Sequence, residues 1–176
     1  MSKRIAVFVD GSNLFYLQLE MGWRINMHRL LEYIERSFKD ENGKIISAIY
    51  YTPITHEQGQ ENFLGVLTQI GFSIYRKEIK TIKTDSDKTI KKSNVDVEIA
   101  IDMVLQAPNY DIAVLISGDG DFCYALQTIK TMGKRFVVMA TRNNVAKELL
   151  ELSGHNFWNF EKYISEVKQI QNINPI

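Results

Sequence analysis

Five side chains have the types and spacing for divalent-metal and phosphate chemistry: Asp10 with Asn13, Asp96, and the pair Asp119 and Asp121. The apolar run Ile5-Ala6-Val7-Phe8-Val9 ends in Asp10-Gly11-Ser12-Asn13, and Ile112-Ala113-Val114-Leu115-Ile116 ends in Ser117-Gly118-Asp119-Gly120-Asp121. Continuous apolar runs of this length read as strands buried on both faces of a parallel sheet. Both acid groups then lie at the carboxyl ends of strands, the edge at which open α/β sheets bind ligands. Carboxylates gathered there repel one another, and a divalent cation or shared protons hold such a set together. The pattern points to a metal-dependent enzyme of phosphate chemistry.

Each of these residues also has a plain structural use. Asp10, ahead of Gly11 and Ser12, suits an Asx-turn or a helix N-cap, and Asn13 could cap the same helix or hold Asp10 through its amide. Asp121 falls in the first turn of the following helix, where its charge suits the macrodipole. Asp96, in Lys92-Ser93-Asn94-Val95-Asp96-Val97-Glu98, opens a helix, and Ser93 with Asp96 approximates a capping box. If that helix is the crossover into the Ile112 strand, Asp96 joins the layer of the strand ends. Asp102 comes six residues later, after ~600° of helical rotation, and so points ~120° away from Asp96. It is assigned a secondary role, such as holding Asn13 or a basic side chain.

Between the Tyr75 strand and the Asp96 helix the sequence carries Arg76, Lys77, Lys80, Lys83, Lys88, Lys91 and Lys92 against Glu78, Asp85 and Asp87. Such a run is ordinarily a solvated loop. Its position just ahead of Asp96 supports a second use, in which the lysines track a phosphate backbone into the acidic site. Lys88, Lys91 and Lys92 are the expected phosphate contacts. Phe15, Tyr16, Trp23 and Tyr75 could stack bases nearby, although aromatics at these spacings are usually core. His28, His56 and His155 are dispersed without ligand spacing.

The elements that must position these groups alternate between strand-like and helix-like segments, the signature of βαβ units around a parallel sheet. Strands are expected at about 4–9, 45–51, 72–75, 112–116 and 135–140, with a short edge strand at 156–160. Helices are expected at about 13–20, 27–38, 55–70, 94–106, 122–132 and 143–152. The polar stretch 76–92 reads as a long loop or an exposed hairpin, and the tail beyond Glu161 as helical at first and then frayed.

Bulk properties bound the rest. With 176 residues the chain is about one domain's worth, and with 21 basic and 21 acidic residues it has no net charge. Nucleic-acid affinity must therefore come from a local patch. The lone Cys123 rules out an internal disulfide, gives no support to a cysteine-based zinc site, and fits a reducing compartment. Only five consecutive apolar residues, Ile5 to Val9, precede Asp10, too few for a signal-peptide core, and no apolar stretch approaches a membrane span. The expectation is a cytoplasmic protein with no membrane partner.

Several segments in order closely resemble the NYN domains of the LabA-like group, within the PIN-like nucleases. They are Val7-Phe8-Val9-Asp10-Gly11-Ser12-Asn13-Leu14, Lys92 followed by Val95-Asp96-Val97 with Asp102 behind, Leu115-Ile116-Ser117-Gly118-Asp119-Gly120-Asp121-Phe122, and Gly133-Lys134-Arg135-Phe136-Val137. The resemblance runs from Arg4 to about Phe160. It implies a Rossmann-like, three-layer PIN-like α/β fold with a mainly parallel sheet of five or six strands, over residues 1–162, followed by a helical tail at 163–176. It also implies a Mg²⁺- or Mn²⁺-dependent ribonuclease site with Asp10, Asp96, Asp119 and Asp121 as metal-binding and catalytic acids and Asn13 beside them. RNA is the implied partner, with Ser12, Ser117 and the three lysines on the substrate side, and a homodimer is left open. Where many members carry an Asp ahead of the final strand, this chain has Ser153-Gly154-His155-Asn156. The LabA-like group also includes proteins viewed as regulators, so a catalytically weak RNA- or protein-binding module is the alternative. A Toprim-like or dehalogenase-like site fits less well, because the first wants a glutamate at the first strand and the second an Asp where Ser12 stands.

Overall fold

In the computed structural model, which describes residues 2–55, 58–78, 80–83, 89–92 and 94–169, strand β1 (Arg4–Asp10) is buried from Ile5 onward. Its parallel partner β6 (Ile112–Ile116) is buried throughout, with Val9 beside Ile116. On the other side β1 pairs in parallel with β2 (Lys44–Pro53), which places Tyr51 next to Asp10. With β3 (Ser73–Lys77), β7 (Arg135–Ala140) and β8 (Phe157–Asn159), these strands form one all-parallel sheet in the order β3-β2-β1-β6-β7-β8.

The alternation of side chains along β1 divides the molecule into three layers. Ile5, Val7 and Val9 face Leu14 and Leu17 of α1 (Gly11–Met21), Leu30 and Ile34 of α2 (Met27–Ser37), and Leu64 and Leu67 of α3 (Gln58–Ile70). Ala6 and Phe8 face Ile99 and Met103 of α4 (Asp96–Leu105), Leu126 and Ile129 of α5 (Cys123–Thr131), and Leu149 of α6 (Lys147–Ser153). Each Val, Leu, Ile, Phe or Met side chain among them contributes ~1.5–3 kcal/mol when withdrawn from water. The chain runs outward from β1 through β2 to β3, then returns through α4 to β6 and runs outward the other way. The reversal lies between β1 and β6, and the crevice beyond their carboxyl ends is where this topology places a ligand.

The basic run contains a two-stranded antiparallel hairpin, β4 (Lys80–Lys83) with β5 (Thr89–Lys92). Lys88, Ser93 and the fraying expected beyond Gln169 lie outside the described residues. The short helix α7 (Ile164–Val167) folds back onto α2: Val167 is fully buried and its carbonyl accepts from Asn26 N at 2.8 Å. Phe38, just after α2, stacks on Trp158 of β8. The helix expected from Asn143 starts only at Lys147. Its intended first turn is committed elsewhere, because the Thr141 carbonyl accepts from Asn144 and Val145 N–H and Ala146 N donates to the Gly118 carbonyl. Among the described residues, no helix is long and apolar enough to cross a membrane.

Candidate metal centre at the carboxyl edge of the sheet

Asp10 is both the last residue of β1 and the N-cap of α1. Its carboxylate accepts from Asn13 N at 3.0 Å and from the Ser117 hydroxyl at 3.1 Å, and the residue is only 3 % exposed. The capping use expected from Asp-Gly-Ser is therefore real, and it holds the acid at the switch point. Burial pushes its pKa up to about 6, against the Asn13 N–H and the Ser117 hydroxyl, which stabilise the anion; the nearby charges of Asp96 and Asp119 push the same way as burial. Gly11 follows because nothing larger fits: a Cβ there would stand 2.6 Å from both the Tyr50 ring and the Tyr51 carbonyl.

The loop after β6 is tied to β1 and α1 by the same few groups. Ser117, 1 % exposed, donates to Asp10 and accepts from Asp119 N at 3.2 Å, while Asn13 Oδ1 accepts from Gly118 N at 3.0 Å. Ser117, expected on the substrate side, thus lies beneath the surface and links two acids. Asp119 caps its own turn by accepting from Asp121 N at 2.9 Å. At Gly118 a Cβ would come 2.3 Å from the Asn144 carbonyl oxygen, so the turn at 141–146 packs directly on the loop's backbone.

Asp96 arrives from α4. Its N–H donates to Asn94 Oδ1 at 3.0 Å, and Lys77 at the end of β3 fixes this helix start by donating to the Asn94 carbonyl at 2.6 Å and pairing with Glu98 at 2.6 Å. Burial raises the pKa of Asp96, Asn94 opposes the shift, and the charges of Asp119 and Asp121 reinforce it. One carboxylate oxygen from each of Asp96, Asp119 and Asp121 lies within 4.8 Å of the others. Asp10, Ser12, Asn13, Asp96 and Asp119 line one open cleft of about 240 Å³, together with Tyr16.

The donor set fits a hard divalent cation. Oxygens bound to one Mg²⁺ or Ca²⁺ at ~2.0–2.6 Å stand at most ~4–5 Å apart, and Asp96, Asp119 and Asp121 already meet that span. Carboxylates alone favour Mg²⁺, Mn²⁺ or Ca²⁺ over softer metals. No cationic side chain lines the cleft among the described residues.

Other expected groups go elsewhere. Asp102 accepts from the buried Tyr51 hydroxyl at 2.8 Å, and among the described residues it holds neither Asn13 nor a basic side chain. Arg76 forks onto Glu61 with both contacts at 2.9 Å and Lys77 is spent on α4, so these two cations serve internal ion pairs. The sequence offered Ser93 or Asn94 as the cap of this helix, and Asn94 makes the bond to Asp96 N; sequence reading missed Lys77 as a support of Asp96. The Asn94-Val95-Asp96 spacing suits an Asx-turn, but nothing local marks Lys77.

A family model for the NYN domain matches residues 4–158. The chain belongs to the NYN domain family. It is 33 % identical over 148 residues, 83 % of this chain and 78 % of the relative, to the Low amplitude and bright protein LabA of Synechococcus elongatus. It is thus an NYN domain protein of the LabA-like group, with the acidic cluster and fold of a PIN-like nuclease family. A crystal structure of a Vibrio parahaemolyticus protein of unknown function superposes with a TM-score of 0.77 at 22 % identity, covering 95 % of this chain and 96 % of that one. That likeness shows the same fold.

Proposed function

We propose that the chain is a metal-dependent ribonuclease that cuts RNA phosphodiesters in the cleft between the ends of β1 and β6. The observation that carries this reading is the approach of the Asp96, Asp119 and Asp121 carboxylates to within 4.8 Å of one another, beside a buried Asp10. Asp96, Asp119 and Asp121 would hold Mg²⁺ or Mn²⁺, with Asp10 as the fourth acid. A bound divalent ion supplies the positive charge that phosphate oxygens need as negative charge builds in an in-line displacement.

The chain's own residues do the positioning. Asp10 has its oxygens engaged by Asn13 N–H and the Ser117 hydroxyl, so it fixes the start of α1 and, through Ser117, the backbone N–H of Asp119. Asn13 Oδ1 is committed to Gly118 N, which leaves its Nδ2 hydrogens to donate to a phosphate oxygen. Ser12 lines the cleft beside it, where the helix N-terminus favours an anion. Lys88, Lys91 and Lys92 would take flanking phosphates.

The test is incubation of a 5′-labelled single-stranded RNA with Mg²⁺, Mn²⁺ or EDTA. Internal cuts that need metal and vanish in Asp96→Asn support the reading and identify the enzyme as an endonuclease. Cleavage that is insensitive to EDTA, or equal in Asp96→Asn, contradicts it.

A further inference from the structure

Helix α1 buries Leu14 and Leu17 in the core and turns Phe15, Tyr16 and Leu19 outward. Phe15 is 55 % exposed and Tyr16 66 % exposed, and their rings meet edge to face at 5.6 Å. Neither ring is needed to cover the core. Tyr16 stands one helical turn beyond Asn13 and lines the same cleft as Asp10, Asp96 and Asp119.

The charge balance gives these rings a purpose. The chain has no net charge, and the cleft is lined by acids with no cation among the described residues. A polyanion gains little there from long-range attraction, so beyond the divalent ion proposed above, uncharged contacts beside the acids would add short-range affinity. Aromatic side chains stack on any base that is not paired, whatever its identity.

We infer that Tyr16, braced by Phe15, is a stacking platform for an unpaired nucleobase beside the acidic cleft, and hence selects single-stranded over duplex RNA at the position next to the cut. The inference rests on the ribonuclease reading above. Phe15 meets Tyr16 edge to face, and the tyrosine hydroxyl is not required. A duplex cannot present a base face to the ring without opening.

The experiment measures binding of a fluorescent oligoadenylate in the Asp96→Asn background, which retains Tyr16. Adding Tyr16→Ala is expected to weaken binding by about 5- to 150-fold, the worth of one stacked base. Tyr16→Phe should bind like its parent, and an abasic strand of the same length should bind both variants equally. Because the ring is exposed, melting temperatures should not change. Equal binding by the Tyr16→Ala and parent proteins, or a loss that persists on the abasic strand, overturns the platform. Wild-type cleavage with Mn²⁺ is read in parallel: if the RNA is cut while binding ignores Tyr16, only the platform falls. If the wild type neither binds nor cuts the strand, both readings fall.

Discussion

Replacing Asp10 with Asn should stabilise the metal-free protein at neutral pH and leave it almost unchanged in acid. Burial raises the folded pKa of Asp10 from 3.8 to about 6. A raised folded pKa means that the stability tied to this group is fully present below the unfolded value and is lost as pH rises through the folded one. At 1.36 kcal/mol per unit, keeping Asp10 ionised costs the fold ~3 kcal/mol. Asn keeps the acceptor for Asn13 N–H, and the Ser117 oxygen, which already accepts from Asp119 N, can also accept from the new amide. Allowing for some misfit there, the net gain above about pH 6.5 is ~1–3 kcal/mol, or ~2–12 °C in melting temperature for a chain of this size. Thermal melts in EDTA from about pH 4 to about pH 8 would show the two proteins converging in acid and separating through about pH 6. Saturating Mn²⁺ should narrow or reverse the difference, since only the wild type keeps all four acids. An Asn variant that is less stable at neutral pH, or that keeps the same margin at every pH, would refute the reasoning.

Three further substitutions probe the surroundings of the cleft. Gly118→Ala forces a Cβ to 2.3 Å from the Asn144 backbone oxygen, and should cost ~1–3 kcal/mol by denaturant melts and reduce cleavage beyond that, because the Asn13 and Ser117 bonds to this loop must shift. Tyr51→Phe removes the donor that Asp102 accepts and should destabilise by ~1–3 kcal/mol while leaving the kcat of cleavage unchanged, as expected if Asp102 is structural. Alanine at Lys88, Lys91 and Lys92 together should weaken RNA binding and lower the slope of log K against log salt by about 0.7 per lost contact; an unchanged slope would return these lysines to solvent.

The site was legible wherever a local pattern carried it. Two continuous apolar runs, the first running straight into Asp10 and the second into Ser117-Gly118-Asp119, placed both acids at strand ends because strands buried on both faces carry polar residues only where they reach the sheet edge. Asp96 was legible for a similar reason: the helix it opens is the crossover into β6. What could not be read was set by contacts distant in sequence. Asp102 finds Tyr51 across 51 positions, and Lys77 finds α4 across the hairpin, so neither pairing leaves a local trace. The late start of α6 has the same origin. The stretch 143–146 was expected as the first turn, but it holds no strong helix former before Ala146; Ala146 is claimed by the Gly118 carbonyl, and the Thr141 carbonyl gathers Asn144 and Val145 into a turn.

Asp119→Asn, compared with the wild type in two assays on the same preparations, tests the central claim most directly. Asn can still accept from Asp121 N–H and keep the turn, while one of three crowded charges is removed. A catalytic cation site predicts that Mn²⁺-dependent cleavage of single-stranded RNA by the wild type disappears in the variant, while the metal-free melting temperature stays the same or rises. A wild-type protein that cuts no RNA with Mg²⁺ or Mn²⁺, yet melts at a much higher temperature with either ion and loses that gain in Asp119→Asn, would contradict the nuclease reading and leave a binding module with a structural ion.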